Sequence, residues 1–464
     1  MIDNKIPQIK NEKEEIEKTK KYSIKEAITT NLTIGFGENY ISPYLIALGG
    51  DSKDVGFLSA FPNLFAPFFQ LLSWPLMRKY SRKKIITTLL FLQFLIYIPI
   101  ISLIFLYFKN VISVPILLII FYTIYSIFGN IAAPVWASWI GDIIQKEEIG
   151  KFFGKRNSIA SIFYLLGMFL GGIILEFTKK EIKTRNIGVF LGFGIIFLLA
   201  AIFKLFSRYF FIKHYEKKFK PSKESYFSFF DFLREAPKRN YGRFALYVTL
   251  IIFATNIASP YFIIYMLKDL KFSYFQFMLV NIATALATFL SMPFWGKFSD
   301  EYGNIYTLKI GSFLIPLVAL LWTITLILNS KTIFIFIFIL NLFSGFAWAA
   351  FNLAAGNFIF DAASSEKRSL CATYSNILNG FGIFLGANLG NYLIPIISQK
   401  FIANPIMVLS LLSGILRFLI AILLVFKIKE VKEVEKTPNL YSLSQIFSLP
   451  FNYFKSLFLK DKNK

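Results

Sequence analysis

The apolar positions of this chain run in long unbroken blocks, without the alternation of a half-buried strand or the single stripe of a surface helix. A helix needs about 20 mostly apolar residues to cross a hydrocarbon core of about 30 Å. Blocks of that length recur, and the pattern predicts spans near 27–48, 55–77, 85–108, 112–140, 157–176, 187–210, 243–267, 272–296, 305–328, 332–360, 370–398 and 404–427. The expected fold is all-α, a polytopic membrane protein of twelve transmembrane helices. The polar remainder is 1–26, 211–241 and 428–464, and none of these could bury a core of its own. The expected organisation is a cytoplasmic N-terminal segment (1–26), a six-helix bundle (27–210), a cytoplasmic linker with an amphipathic helix (211–241), a second six-helix bundle (242–427) and a cytoplasmic tail with an interfacial helix (428–464).

Composition sharpens this reading. The 464 residues are 56% hydrophobic and 18% aromatic, which is membrane composition. A net charge of +23 could suggest nucleic acid, but most of the Lys and Arg fall on one side of the predicted spans. That asymmetry places both termini in the cytoplasm and the protein in the cytoplasmic (inner) membrane, with no nucleic-acid partner expected. Lys179, Lys180, Lys183 and Arg185 stand against the rule in one outer loop, too few to overturn it. The first 26 residues carry seven lysines and six acids without an apolar h-region, so no cleaved secretory signal is expected there. One cysteine, Cys371, excludes an intrachain disulfide or cysteine cluster, and the one histidine, His214, lies in the basic linker. No metal, cofactor or His-based triad is expected.

Comparing the halves shows a repeat. Asn39, Ser42, Pro43 and Tyr44 match Asn256, Ser259, Pro260 and Tyr261 at an offset of 217, while Asp142, Glu147, Asn157, Gly167 and Gly171 match Asp361, Glu366, Asn376, Gly386 and Gly390 at 219. Six-helix halves of the same orientation, joined by a long cytoplasmic linker, are parallel repeats about an axis along the membrane normal, which predicts a central cavity. Prolines and small residues four apart also serve helix packing. Packing alone does not explain why polar Asn39 and Asn256 recur beside those prolines.

After span eight the chain reads Gly296-Lys297-Phe298-Ser299-Asp300-Glu301-Tyr302-Gly303-Asn304. This resembles the loop signature of the major facilitator superfamily, a glycine, an Asp and a second glycine followed by basic residues, with Asn304 where a base is expected. The glycines would permit a tight turn and the Asp could cap a neighbouring helix, forming a latch that breaks as the halves move. The turn after span two, Trp74 to Lys84, keeps the basic cluster, including Arg78 and Arg82, but lacks the Asp and both glycines. Gly382, Gly386 and Gly390 resemble the glycine-rich exporter motif, with Ala387 in place of its proline. The resemblance implies two pseudo-symmetric six-helix bundles, and Gly296, Asp300, Gly303, Arg78 and Arg82 as gating-loop candidates.

Glu38 is the sharpest coupling candidate, about eleven residues into span one and so near mid-membrane. A central charge costs about +2.5 to 3.5 kcal/mol on insertion scales and usually faces a cavity, a partner or a proton path. The competing reading is a protonated Glu with structural work alone. The resemblance places spans one, four and ten beside the cavity, so Asn39, Asn130, Trp136, Asn256, Trp348 and Asn352 join Glu38 as substrate candidates, with Trp139 and Asn341 nearby. Tryptophan beside amides can stack on and hydrogen-bond to sugars, nucleosides or aromatic solutes. Trp139 also suits an interfacial anchor, and Gln70, Gln93, Asn281, Asn376 and Asn388 suit interhelical hydrogen bonding. Arg417 reads as a packed or snorkelling cation of a peripheral helix, and Lys204 as one that snorkels. Tyr226–Glu235 and Tyr441–Phe458 mix Phe with Lys or Arg and are expected to lie on anionic headgroups.

The function expected is secondary active transport of a small organic solute by alternating access, with protons as the candidate coupling ion and a monomer as the working unit. A uniporter or an exporter of amphipathic compounds is the alternative within the class. Outside it stand a non-transporting sensor or scaffold and a membrane-embedded lipid-acting enzyme. Neither a soluble output domain nor clustered intramembrane His, Asp or Cys is evident, so no enzyme activity is expected.

Overall fold

The computed structural model describes residues 5–111, 113–144, 148–181, 187–217, 228–362, 368–400, 404–432 and 434. Among these the chain is helix joined by short turns, with no strand. Eleven helices are long and apolar enough to cross a membrane. The first expected span is built differently. Helix α1 (Lys5–Thr33) continues into a π-helical turn, Ile34–Glu38, and then α2 (Asn39–Ala47), with Pro43 inside it. The polar segment before residue 27 is therefore no separate tail, because α1 begins at Lys5 and runs without interruption into the apolar stretch. Lys18 pairs with Glu14 and Glu15 at 3.0 and 3.1 Å and Lys20 with Glu17 at 2.6 Å, the i,i+3 and i,i+4 spacings that support an exposed helix.

The first half continues with α3 (Ser52–Phe69), α4 (Ser73–Lys79), α5 (Arg82–Phe108), α6 (Val114–Ile143), α7 (Ile149–Glu181) and α8 (Ile187–Ile212). Asp51 and Asp54 form a capping box at the start of α3, and Ser81 caps α5. The second half comprises α9 (Phe229–Glu235), α10 (Asn240–Asn256), α11 (Phe262–Ile264), α12 (Tyr274–Tyr302), α13 (Asn304–Leu321), α14 (Ile333–Ala362), α15 (Arg368–Lys400) and α16 (Pro405–Leu424). The chain divides into two compact units, residues 1–223 with 263–278, and residues 224–262 with 279–464.

Each unit repeats the same packing. In the first, α1 lies against α7 and α8, and α5 against α6 and α8; in the second, α10 lies against α15 and α16, and α13 against α14 and α16. Close backbone approach accounts for the glycine spacing of α15. A Cβ on Gly382, Gly386 or Gly390 would come within 2.8, 2.3 and 2.2 Å of the carbonyl oxygens of Thr249, Phe253 and Ile257, so α10 can seat there only on bare backbone.

The proline motifs do not superpose as their sequences do. The Tyr261 hydroxyl donates to the Ala387 carbonyl of α15 at 2.5 Å, and its counterpart in the first unit is Tyr40, which donates to Met168 of α7 at 2.5 Å. Tyr44, matched to Tyr261 by sequence, instead donates to Ile100 of α5 at 3.1 Å. The cause lies in the helices: one widens into a π turn before its motif, whereas the other ends at Asn256 and resumes as a 3-10 turn at Ser259–Tyr261.

Of the two segments expected to lie on headgroups, Tyr441–Phe458 falls outside the described residues. In the other, α9 is capped by Ser228 and Asp231, and Phe229 and Phe232 turn onto Tyr374 with ring centroids 5.5 and 5.6 Å away. Those rings pack into protein, and among the described residues of this segment, which begin at Ser228, Phe230 at 79% exposure keeps an outward apolar face.

Candidate functional site

Glu38 ends the π turn, where the wider helix rotates its side chain toward α6. The Tyr125 hydroxyl donates to its carboxylate at 3.0 Å. Tyr125 sits among aromatic neighbours: Tyr97 of α5 meets it edge-on at 5.5 Å and Tyr122 stacks at 6.1 Å. Gly37 admits this arrangement, since a Cβ there would fall 2.3 Å from the Tyr97 hydroxyl. Behind Tyr125, Gln93 of α5 donates to the Tyr125 carbonyl at 3.0 Å and accepts from the Lys204 ammonium at 3.2 Å. The ammonium also lies 5.2 Å from the centre of the Tyr125 ring.

Lys204 corrects the sequence reading. It is 3% exposed and points into the unit, not along lipid toward a boundary. Position along α8 could not reveal this, because facing depends on which helix lies alongside. Gln93 and Tyr97, four apart, and Tyr122 and Tyr125, three apart, each share a helix face, and that spacing was the signal available for finding this cluster. A second polar cluster lies nearer the start of α1, where Glu26 pairs with Arg156 of α7 at 2.7 Å and accepts from Thr30 at 2.7 Å.

The remaining candidates are less concentrated. Asn39 accepts from Tyr164 of α7 at 3.3 Å and its side chain donates at 3.0 Å to the Ile34 carbonyl, which also takes the Asn39 backbone N–H in the π turn. Asn130 and Asn256 donate to carbonyls of their own helices, Ser126 and Ile252. The face of Trp136 carries the Arg156 guanidinium at 4.8 Å. Trp348 meets Phe351 edge-on at 5.6 Å, and Asn352 is exposed. Asn341 links α14 to α12 by accepting from Thr284 at 3.0 Å. Trp139 is buried, donating to the Tyr215 carbonyl at 2.9 Å against Phe211 and His214, so it is no interfacial anchor. Arg417 is buried too, bonded to Ser413 at 2.7 Å and to the Ile315 carbonyl at 3.4 Å; the packed alternative holds and the snorkelling one does not.

The turns after α4 and α12 are built alike despite their different sequences. Arg82, 1% exposed, pairs with Asp142 of α6 at 2.5 Å and donates to the carbonyls of Ser138 and Lys217. Glu216 takes the backbone N–H of Arg82 at 2.7 Å, satisfying the α5 N-terminus. In the second unit Asn304 donates to Asp361 of α14 at 2.6 Å, and Glu430 takes the Ile305 N–H at 2.7 Å. Asn304 thus meets Asp361 as Arg82 meets Asp142, an amide in place of a base. Sequence reading missed both glutamates, although Lys213-His214-Tyr215-Glu216 and Lys427-Ile428-Lys429-Glu430 share a Lys-x-x-Glu pattern.

Two expectations for these turns need correcting. Among the described residues Asp300 caps no helix; it pairs with Lys432 at 2.8 Å on the surface, and Glu430 serves the α13 N-terminus. Gly296 lies inside continuous α12 with open space at its Cβ position, so no turn requires it. Gly303 does shape the turn, with φ of +96° where side chains are strained. Arg78 is exposed. His214, just past α8, is 2% exposed, bonded through Nδ1 to the Phe210 carbonyl at 2.8 Å, and burial lowers its pKa from the ordinary 6.5.

Charge buried among membrane-length helices points to work inside the membrane, and the comparisons give the class of protein. The family model of the Major Facilitator Superfamily matches residues 27–387, and again 244–459. The chain belongs to that superfamily: it is a multi-pass membrane transporter of small solutes, not an enzyme. An uncharacterised MFS-type transporter of Methanocaldococcus jannaschii is 29% identical over 300 residues, 63% of this chain and 72% of the relative. The crystal structure of a mutant of the nucleoside transporter NupG is similar with a TM-score of 0.69 at 14% identity, covering 88% of this chain and 100% of that one. The POT family transporter PepTSo follows with a TM-score of 0.65 at 13% identity, covering 88% and 97%. Those two structures share the fold.

Proposed function

We propose that this transporter moves a small organic solute by alternating access and that Glu38 couples the movement to protons. The observation that carries this is the Tyr125 hydroxyl on the Glu38 carboxylate within a span, beside Gln93 and Lys204. A carboxylate in that setting is costly unless held by partners, and a group held by one neutral hydroxyl can exchange that bond when protonated. The bundles at 27–210 and 242–427 are the two moving bodies, joined by 211–241. Arg82 with Asp142 and Glu216, and Asn304 with Asp361 and Glu430, act as latches that make and break between states. Asn39, Asn130, Trp136, Asn256, Trp348 and Asn352 supply candidate solute contacts. The protein works as a monomer in the cytoplasmic membrane, its termini in the cytoplasm and its basic segments beside anionic headgroups.

The test begins with a thermal-shift screen of purified protein against sugars, nucleosides, amino acids and drugs. A stabilising compound is then followed into liposomes with and without a proton gradient. Gradient-driven accumulation that disappears in Glu38→Gln supports the reading. Uptake indifferent to both the gradient and the substitution removes the coupling and leaves a uniporter.

A further inference from the structure

His214 is buried without the partners that an imidazole needs to carry charge. It lies just past α8 at 2% exposure, with Phe211 stacked 5.1 Å away and Trp139 of α6 at 5.5 Å. The Phe210 carbonyl can only accept, so the Nδ1 atom that meets it at 2.8 Å carries the proton of the neutral ring. Nε2 is then a bare acceptor, and among the described residues no group bonds to it. The internal repeat shows what packing alone requires here. Lys213-His214-Tyr215-Glu216 and Lys427-Ile428-Lys429-Glu430 follow α8 and α16, and the place of His214 is taken in the second unit by Ile428, 3% exposed. An aliphatic side chain fills that position, so packing does not call for an imidazole.

The two residues after His214 hold the clasp that closes this end of the first unit. The Tyr215 N–H donates to Thr19 of α1 at 2.8 Å and its carbonyl accepts from Trp139 at 2.9 Å, while Glu216 takes the Arg82 N–H at 2.7 Å. We infer that His214 is a proton-operated release for this clasp: a proton taken up at Nε2 from the adjoining water drives the ring out from beside Trp139, and Tyr215 and Glu216 leave Thr19 and Arg82 with it. Protonation would put a second N–H where nothing accepts it and a charge where water does not reach. Among the charged groups around the ring, Glu26 of α1 favours the imidazolium, whereas Arg156 of α7 and Lys83 of α5 oppose it. Glu26 is itself held by Arg156 at 2.7 Å. From α6 the ring meets neutral Trp139, since Asp142 is bound to Arg82 at 2.5 Å, and Lys213 beside it lies over the Tyr209 ring at 5.5 Å. Aromatic faces attract a cation, but by less than its desolvation costs, and burial holds the imidazole below its ordinary 6.5. The consequence for transport rests on the reading of the Arg82 turn as a latch; the release itself does not.

Hydrogen exchange of the full chain in lipid nanodiscs, followed by mass spectrometry and corrected for the intrinsic effect of pH, reads the clasp without a solute. The Arg82 and Tyr215 amides report its opening, and Ile305, whose N–H goes to Glu430, is the control in the second unit. The open form titrates at the ordinary 6.5 and the closed form lower, so opening gains by up to about tenfold for each pH unit below 6.5 until the closed form also titrates. Protection of Arg82 and Tyr215 should therefore fall between about pH 6.5 and 5.5, and that of Ile305 should hold. His214→Phe should keep the first two level over that range. Should that variant fail to fold, His214→Ile, which copies the second unit, should do the same. A wild-type drop that persists in either folded variant, an equal drop at Ile305, or no drop in the wild type overturns the inference. Transport indifferent to loss of the clasp in Glu216→Ala would defeat the latch reading and leave the exchange result standing, so the two failures are distinguishable.

Discussion

A methyl group on Gly37 would land 2.3 Å from the Tyr97 hydroxyl, with the Ala200 Cβ at 3.0 Å on the other side. Gly37→Ala should therefore cost about 1–3 kcal/mol, as overpacking does in other cores. Thermal unfolding checks it, and Tyr97→Phe in the same chain should return part of the loss by removing the atom that is struck. His214 gives a prediction with a sign. Burial lowers its pKa, so between 6.5 and the lower folded value the unfolded chain binds more protons. Its stabilising effect is fully present above pH 6.5 and is lost as pH falls through the folded value. His214→Phe should flatten the drop in melting temperature between about pH 7.5 and 5.5, leaving only the carboxylate limb below. A wild-type drop that persists unchanged in the variant contradicts this. Glu38 was legible because a charge in the middle of an apolar block stands out. Gln93 was legible as an interhelical hydrogen-bonding amide, and it bonds both α6 and α8; Tyr125 and the facing of Lys204 were not, because they depend on which helices lie alongside.

At the scale of elements, the paired turns make the sharpest prediction. Asn304→Asp sets a carboxylate where an amide now donates to Asp361 at 2.6 Å. It should lower the melting temperature more than Asn304→Ala, since a like charge adds to the lost bond, and Asp361→Asn should restore most of the difference. Equal effects of the two substitutions would mean that Asp361 is not the partner. On the first-unit side, Asp142→Asn should cost about 1.5–3 kcal/mol, the range for a hydrogen bond to a charged group, moderated because Asp142 is half exposed and Glu216 remains on Arg82. Hydropathy located eleven long apolar helices well, since burial in lipid requires nothing subtler than length. It placed the start of the first helix poorly, because Lys–Glu pairs and packing against α8 extend α1 back to Lys5. The degenerate turn after α4 looked broken only in its letters. Arg82 and Glu216 close that turn from residues more than 130 positions apart.

For the whole molecule, the internal repeat is the feature that sequence and structure share most fully. The same helix partnerships recur in both units, and the family match spans them. The repeat is inexact where chemistry is concentrated: the first unit has Glu38 and Lys204 in its interior, whereas at the 217-residue offset the second has Thr255 in place of Glu38. That asymmetry is why the proposed coupling is placed in the first unit, and the pairing of solute with proton is the central claim to test. The most direct measurement is the luminal pH of proteoliposomes carrying a trapped pH-sensitive dye, followed as a transported solute is added without any imposed gradient. Wild-type protein should change the luminal pH as the solute moves, and Glu38→Gln should still exchange labelled for unlabelled solute while leaving the pH flat. Net solute movement by the wild type with no pH change would contradict it.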